Sequence, residues 1–324
     1  MSYLVTGAAG FIGFHTCKKL LARGEKVIGV DIVNDYYDPT LKEARLAQLM
    51  EEKGFTFLRA DLAEQNTVDV LLAEHGDITH IIHLAAQAGV RYSLQNPYAY
   101  VHSNLLGQVA IFEAVRRLDP MPALVYASSS SVYGGNTKFP FSVADPVDHP
   151  VSLYAATKRG GELLAESYAA AHGMPSTGLR FFTVYGPWGR PDMAYFSFTR
   201  AILAGQPIPV FNEGKLERDF TYIDDVVAGV LAALDRPADP GKPHRLYNLG
   251  NNKPEPLMRF INTIETALGR KAMLDFKPMQ PGDVKATAAD IGDSTRDLGF
   301  VPRIGIDEGI PRFVRWFKDY HGIA

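Results

Sequence analysis

A tyrosine and a lysine stand four positions apart, Tyr154 and Lys158, in the stretch SLYAATKRGGELLAESYAAAH. The stretch reads as a helix over 153–172, and positions i and i+4 share a helix face. A phenol and an ammonium are therefore expected side by side, just after a serine-rich strand end, ASSSSVYG at 127–134. Such a pair suits one chemistry. A base must take the proton of a carbinol as hydride leaves it. Free tyrosine, with a pKa of about 10, is a poor base at neutral pH, but a neighbouring ammonium favours the phenolate. Lowering the pKa by about three units takes roughly 4 kcal/mol of differential interaction. Tyr and Lys at this spacing also occur on solvated helix faces, so the pair acquires meaning only from its surroundings.

The surroundings begin at the N-terminus. The run SYLVTGAAGFIG places Gly7, Gly10 and Gly13 between a strand and a helix. Glycines let backbone N–H groups approach a pyrophosphate, and a helix N-terminus adds partial positive charge. The spacing is G-x-x-G-x-x-G, one residue longer in its first gap than the usual dinucleotide fingerprint. Asp31 ends the second strand, where a carboxylate accepts ribose hydroxyls and repels a 2′-phosphate, so NAD is expected over NADP. Asp61 ends the third strand, where it serves either the adenosine end of a cofactor or the N-terminus of a helix over 64–75.

The elements that must hold these groups alternate. Strands are expected at 2–7, 26–31, 55–61, 80–85, 123–129 and 176–184, with helices at 11–23, 40–53, 64–75, 97–118 and 153–172 between them. In the first helix Phe14, Cys17 and Leu21 form one apolar stripe. Near-continuous apolar strands separated by helices predict a doubly wound parallel α/β fold. After about residue 185, Pro, Gly and charge become frequent. A helix (225–235) and a strand (245–250) are expected to rejoin the first sheet, and the tail carries helical patterns at 255–270 and 306–320. The expected division is a dinucleotide-binding domain of 1–183 plus about 219–250, and a smaller C-terminal α/β lobe of about 184–218 plus 251–324, with ligand between them.

Bulk composition removes other classes. The chain has 324 residues, 46% of them hydrophobic, and a net charge of -3, which favours neither nucleic acid nor an anionic membrane as partner. One cysteine, Cys17, excludes an internal disulfide and suits a reducing compartment. The glycine-broken N-terminus does not read as a signal peptide, and no apolar run reaches the roughly 20 residues of a membrane span. The nine histidines show no zinc spacing, so no metal is expected.

Taken together, TGAAGFIG, Asp31, HLAA (83–86), ASSSSVYG, Tyr154-x-x-x-Lys158, RFFTVYGP (180–187) and DFTYIDD (219–225) resemble the extended short-chain dehydrogenase/reductases that act on nucleotide sugars. The resemblance covers nearly the whole chain and implies a Rossmann-like fold with bound NAD. It places Gly7, Gly10, Phe11, Ile12, Gly13, Asp31, Asn34, Asp61, Leu62, Leu84, Ala85, Ala86, Asn104, Tyr154 and Lys158 at the cofactor. It gives the proton relay to Ser129, with Ser128, Ser130 and Ser131 close by, and the substrate to Arg91, Ser129, Ser130, Thr183, Arg190, Arg218 and Asp283. Relatives that eliminate or decarboxylate carry an acid just before V-Y-G, whereas this chain has Ser129-Ser130-Ser131 there, which implies 4-epimerisation. AAQAGVRYSLQNP (85–97), YGPWGRPDMAYF (185–196) and MQPGDV (279–284) are similar to the UDP-glucuronate 4-epimerases, and Arg190 suits a sugar carboxylate as a planar fork. Gln280 stands where some UDP-hexose epimerases have arginine. The resemblance further implies a homodimer built on helices 97–118 and 153–172, and the single cysteine a cytoplasmic setting. A neutral-hexose 4-epimerase, a dehydratase or decarboxylase, and a non-catalytic dinucleotide sensor are the competing readings.

Overall fold

A computed structural model of the chain describes residues 1–64, 66–280 and 284–323. Apolar runs of five to seven residues form β1 (Ser2–Thr6), β2 (Lys26–Asp31), β3 (Phe55–Arg59), β4 (Ile78–His83), β5 (Ala123–Ser129) and β6 (Ser176–Phe181). Except in the edge strand β3, their central residues are buried on both faces, as in Leu4 and Val5 or Ile81 and Ile82. Each pairs in parallel with its neighbour, in the order β3-β2-β1-β4-β5-β6, and the late strand β10 (His244–Leu249) adds parallel to β6. The order reverses between β1 and β4, which opens a crevice at the carboxyl ends of the strands. The doubly wound sheet and the return of the late strand both agree with the sequence reading.

Helices cover both faces. In α1 (Phe11–Ala22) the stripe Phe14, Cys17 and Leu21 is buried as expected. Helices α2 (Thr40–Met50) and α3 (Thr67–Glu74) are shorter than expected. The latter starts only after Asn66, whose φ of 65° breaks the helix that a start at 64 requires. The expected single helix 97–118 is a composite. Pro97–Tyr100 leads into a wide π-type segment, Val101–Leu106, and then into α4 (Gly107–Val115). Helix α5 (Leu153–His172) is capped by the Ser152 hydroxyl, which accepts from Ala155 N at 3.1 Å, and ends at Gly173 with φ 64°.

The strand expected over 176–184 divides. Phe182 N makes its bond to Leu249 O, and Thr183–Tyr185 leaves as β7 to pair with β9 (Glu217–Tyr222), which also carries β11 (Pro254–Pro256). A second small pair joins β8 (Pro207–Phe211) to β12 (Met273–Lys277). Helices α6 (Ala194–Leu203), α7 (Ile223–Leu234), α8 (Leu257–Leu268) and α9 (Ile306–His321) pack around them. Asp219 ties these pieces to the main sheet. Fully buried, its carboxylate accepts from Asn251 N, Asn252 N and Ala289 N at 2.5, 3.1 and 2.9 Å. No described helix is long and apolar enough to cross a membrane.

The sheet is bolted to α5 by a buried ion pair. Arg180 of β6 donates Nε and Nη2 to Glu162 at 2.7 and 2.8 Å, and both side chains are within 1% of full burial. Ser128 of β5 donates to the same carboxylate at 2.6 Å, and the Tyr133 ring lies 4.9 Å under the guanidinium. Removing one partner leaves the other charged in a dry site, at a cost of about 3–5 kcal/mol. Arg180→Met or Glu162→Gln alone is therefore expected to lower stability by about that amount in urea denaturation. The double variant Glu162→Gln/Arg180→Met is expected to recover most of it.

Candidate active site

The carboxyl ends of β1 to β6 surround a cleft of about 660 Å³. Its floor is the turn from β1 into α1. Gly7 has φ 72°, a conformation that favours glycine, and a Cβ on Gly13 would sit 2.0 Å from Gly7 O. No side chain fits at either of these two positions. The first-turn N–H groups of α1, free of helical acceptors, therefore face the cleft without obstruction. A pyrophosphate suits that cradle, and Gly7, Gly10, Phe11, Ile12 and Gly13 all line the cleft.

Asp31 stands at the end of β2 with Oδ1 accepting from Val33 N at 2.7 Å and Oδ2 from Ala9 N at 3.1 Å. Burial pushes its pKa up, while those two N–H groups and the Lys42 ammonium oppose the shift. The carboxylate lines the cleft, where it suits two ribose hydroxyls and repels a further negative group. Asn34, Asp61, Leu62, Leu84, Ala85 and Ala86 line the same cleft. Asp61 is not the cap of α3. Its Oδ1 accepts from Ala63 N at 2.9 Å, and its Oδ2 lies 2.9 Å from His102 Nε2. Asn104 lies outside the cleft lining. In the widened π-type turn its side chain points inward, bonding Gln87 N and O at 2.7 and 3.0 Å and Thr157 Oγ1 at 3.0 Å. It braces the end of β4 against α5.

At the inner end of the cleft sit Ser129, Tyr154 and Lys158, together with Arg190. The Ser128 hydroxyl is committed to Glu162, and Ser130 opens a 3₁₀ turn away from the cleft lining. Ser129 therefore is the serine that faces Tyr154. Its Oγ accepts from Ser131 N at 3.1 Å and donates to Ser131 Oγ at 3.1 Å. Lys158 differs from expectation. Its ammonium is buried and donates to Ala127 O at 2.9 Å rather than lying against the phenol. Burial pushes the Tyr154 phenol up, and the opposing influences are a hydrogen bond from Ser129 and the positive charge of Arg190. In this arrangement the cation that acts on Tyr154 is the arginine, because the lysine side chain is drawn to a strand carbonyl.

Several expected substrate residues are not among those that line this cleft. Arg91 stacks over the Phe211 ring at 5.1 Å, and Arg218 donates to Glu217 O at 2.9 Å on an exposed strand. Thr183 starts β7, opposite Phe220. Asp283 lies outside the described residues.

In the segment NDYYDP (34–39) the sequence singles out only Asn34, yet Tyr36, Tyr37 and the nearby Lys42 and Arg45 prove central. Lys42 donates to Asn34 O at 2.7 Å and sits over the Tyr37 ring. Arg45, fully buried on α2, donates to Ala9 O and the Tyr37 hydroxyl at 2.8 Å each. Its other N–H groups hold Trp188 O, at 3.1 and 2.6 Å, and Gly189 O at 3.3 Å. All five donors are used, and they join the phosphate turn to the loop that carries Arg190. Tyr36 adds a second link, donating to Asp192 at 3.1 Å. Aromatic and basic residues between a strand and a helix were the available signal, but nothing in the sequence says what they reach.

Lys158 provides a test of this geometry. Burial lowers its pKa from 10.5 to about 8, with Glu162 opposing. The folded state therefore disfavours the ammonium, a penalty complete below about 8 and gone above about 10.5. Relative to a Lys158→Met variant, the free protein is expected to gain stability as pH rises through that window. Denaturant midpoints at a series of pH values check this; a difference that stays flat contradicts the burial.

Residues 3–250 match the NAD dependent epimerase/dehydratase family. The UDP-glucuronate 4-epimerase 4 of Arabidopsis thaliana is 49% identical over 336 residues, 99% of this chain and 76% of the relative. The solved structure of the Bacillus cereus UDP-glucuronic acid 4-epimerase, in complex with UDP-glucuronic acid and NAD, superposes with a TM-score of 0.92. That pair is 33% identical and covers 99% of this chain and 100% of the other. The Thermus thermophilus UDP-glucose 4-epimerase in complex with NAD, 29% identical, gives a TM-score of 0.86 over 98% of this chain and 99% of its own. The glycine cradle, the Asp31 carboxylate and the Ser-Tyr-Lys cluster have their counterpart in that kinship: the chain belongs to the NAD dependent epimerase/dehydratase family.

Proposed function

We propose that this protein interconverts UDP-glucuronate and UDP-galacturonate, by oxidation of the hexose at carbon 4 followed by reduction on the opposite face. The observation that carries the reading is the shared cleft of Tyr154, Ser129 and Arg190, with the arginine close enough for its charge to act on the phenol. A base for the carbon-4 hydroxyl and a cation for the neighbouring carboxylate are thereby brought to one place. The similarity to UDP-glucuronate 4-epimerases over the full chain supports the same substrate.

NAD, when bound, accepts the hydride and returns it. The residues that hold it are those of the β1–α1 turn, Asp31, and the small side chains Ala85 and Ala86 at the end of β4. Ser129 holds the reacting oxygen and passes its proton to Tyr154. Lys158, whose pKa of about 8 keeps it largely protonated at neutral pH, supplies positive charge at the strand end beside them. Arg190 holds the carboxylate. Oxidation at carbon 4 gives a β-keto acid intermediate, which tends to lose carbon dioxide, so a carboxylate held before and after the sugar turns also guards against that loss. No Asp or Glu stands at 129–133 to assist elimination, which disfavours the dehydratase reading.

The sugar is expected to lie toward the lobe of about 184–218 plus 251–324. The domain assignment is supported by the departure of β7 from the main sheet and the return of β10 to it. A homodimer is the expected assembly, since Tyr98, Val101, Leu106 and Leu163 leave apolar side chains exposed on 97–115 and α5. Leu163→Glu with Leu106→Glu is expected to shift the species in sedimentation from dimer to monomer; unchanged sedimentation removes the assignment. A cytoplasmic residence accords with the single, buried cysteine, and cell fractionation checks it.

Incubation with UDP-glucuronate, followed by separation of products, is expected to give UDP-galacturonate without net consumption of NAD. Tyr154→Phe is expected to lower the rate by about 10²–10⁴-fold, the worth of a positioned general base. Arg190→Ala is expected to lower turnover and to release UDP-pentose alongside the hexuronate. Full activity of the phenylalanine variant, or turnover of UDP-glucose in preference to UDP-glucuronate, defeats the assignment.

A further inference from the structure

Arg190 already has a carboxylate. Its Nε donates to Asp192 Oδ1 at 3.0 Å and its Nη2 to Asp192 Oδ2 at 2.5 Å. Tyr36 holds Asp192 from the other side, 3.1 Å from Oδ2. A guanidinium has two forks, and each can take a carboxylate in a bidentate pair. Asp192 closes the side fork. The end fork, with Nη1, makes no hydrogen bond to a described residue, and Arg190 lines the cleft beside Tyr154 and Ser129. The two side chains are only partly exposed, 24% and 30%. The arginine is therefore presented to the cleft oriented and neutralised at once.

The orientation has an obvious use, and the neutralisation has a less obvious one. Epimerisation at carbon 4 exposes the two faces of one ketone to the same reductant in turn, so the hexosyl group must turn over while bound. The carboxylate on carbon 5 turns with it and must leave Arg190. A half-buried cation that loses its only anion resists that departure, because the charge is then left uncompensated. With Asp192 in place, departure leaves an intact ion pair. The same charge weakens the hold on the bound substrate, and a grip common to ground and transition states does not raise turnover.

Resting on the UDP-uronate reading above, we propose that Asp192 is a positioning residue that compensates Arg190 while the sugar carboxylate lets go, so that the 4-keto sugar can turn before it is reduced. No bond is made or broken by Asp192. Its action is on the rotation between the two hydride transfers.

The test replaces Asp192 by Asn, which keeps the shape and removes the charge, and by Ser as a second neutral variant should the first fold poorly. With UDP-glucuronate, both are expected to lower KM and to lower kcat about tenfold, equivalent to about 1.4 kcal/mol of extra hold on the departing carboxylate. The near-ultraviolet absorbance of reduced nicotinamide is expected to rise in the steady state, since oxidised sugar waits to turn. In a Tyr154→Phe background, calorimetry is expected to show tighter binding of UDP-glucuronate but not of UDP-glucose. Asp192→Glu, which restores the charge, is expected to reverse the nicotinamide signal. A raised KM with no accumulation of reduced nicotinamide overturns the proposal and leaves Asp192 a mere orienting group. Wild-type kinetics in both neutral variants overturn it as well. If the wild-type protein fails to convert UDP-glucuronate at all, the substrate reading and this proposal fall together.

Discussion

A fully buried arginine with no ion-pair partner among the described residues holds the site together. Arg45 has lost its water and meets instead five hydrogen bonds, to Ala9 O, Tyr37 OH, Trp188 O and Gly189 O. An unsatisfied donor on a buried charge is costly, so each bond fixes its acceptor firmly. Those acceptors belong to the turn that cradles a pyrophosphate and to the loop that carries Arg190. Two parts of the site more than 170 residues apart in sequence are thereby held in one geometry.

The clamp explains strain elsewhere in the loop. Trp188 has φ 61°, unfavourable for a bulky residue, and that conformation accompanies the delivery of its carbonyl to two N–H groups of Arg45. Its ring is secured by Phe14 of α1 and by Trp316 and Tyr320 of α9, at centroid distances of 5.6, 5.2 and 5.2 Å. The C-terminal helix thus supports the loop that reaches the cleft. On the opposite wall the Glu162–Arg180 pair fixes α5 to β5 and β6, and with it the heights of Tyr154, Lys158 and Ser129. Two ionic anchors, one on each side of the crevice, position the reacting groups between them.

Charge within the cleft is arranged in compensated pairs. Burial opposes the charge of Arg190, yet Asp192 outweighs it and holds the guanidinium protonated, while burial pushes Asp192 up and the arginine more than offsets this, bringing it below its ordinary value. Tyr36 and Tyr154 both lie within the field of that pair. The phenol of Tyr154 is pushed up by burial and eased by Ser129 and Arg190. Lys158, on its strand carbonyl, remains available as a second cation. Where the sequence points to the lysine as the neighbouring cation of the phenol, the protein chain itself brings Arg190 from the loop after β7 to that place.

The alternation of strands and helices, the glycine turn, Asp31, and the pairing of Tyr154 with a serine-rich strand end were legible in the sequence because each depends on neighbours within one or two elements. Hydrophobic period sets a strand or a helix, and Gly7 and Gly13 have no alternative where a Cβ meets backbone. Contacts between distant segments left no such trace. The break after Phe181, the inward turn of Asn104, the commitment of Ser128 to Glu162, the swing of Lys158 to Ala127 O, and the reach of Arg45 and Tyr36 across to 188–192 all follow from which donor and acceptor share a dry space. The sequence by itself determined the scaffold and the kinds of groups at its mouth, since these follow from local sterics and periodicity. Only the tertiary structure decided which charge faces which, because a buried charge takes the nearest geometrically competent partner, and that partner is set by packing.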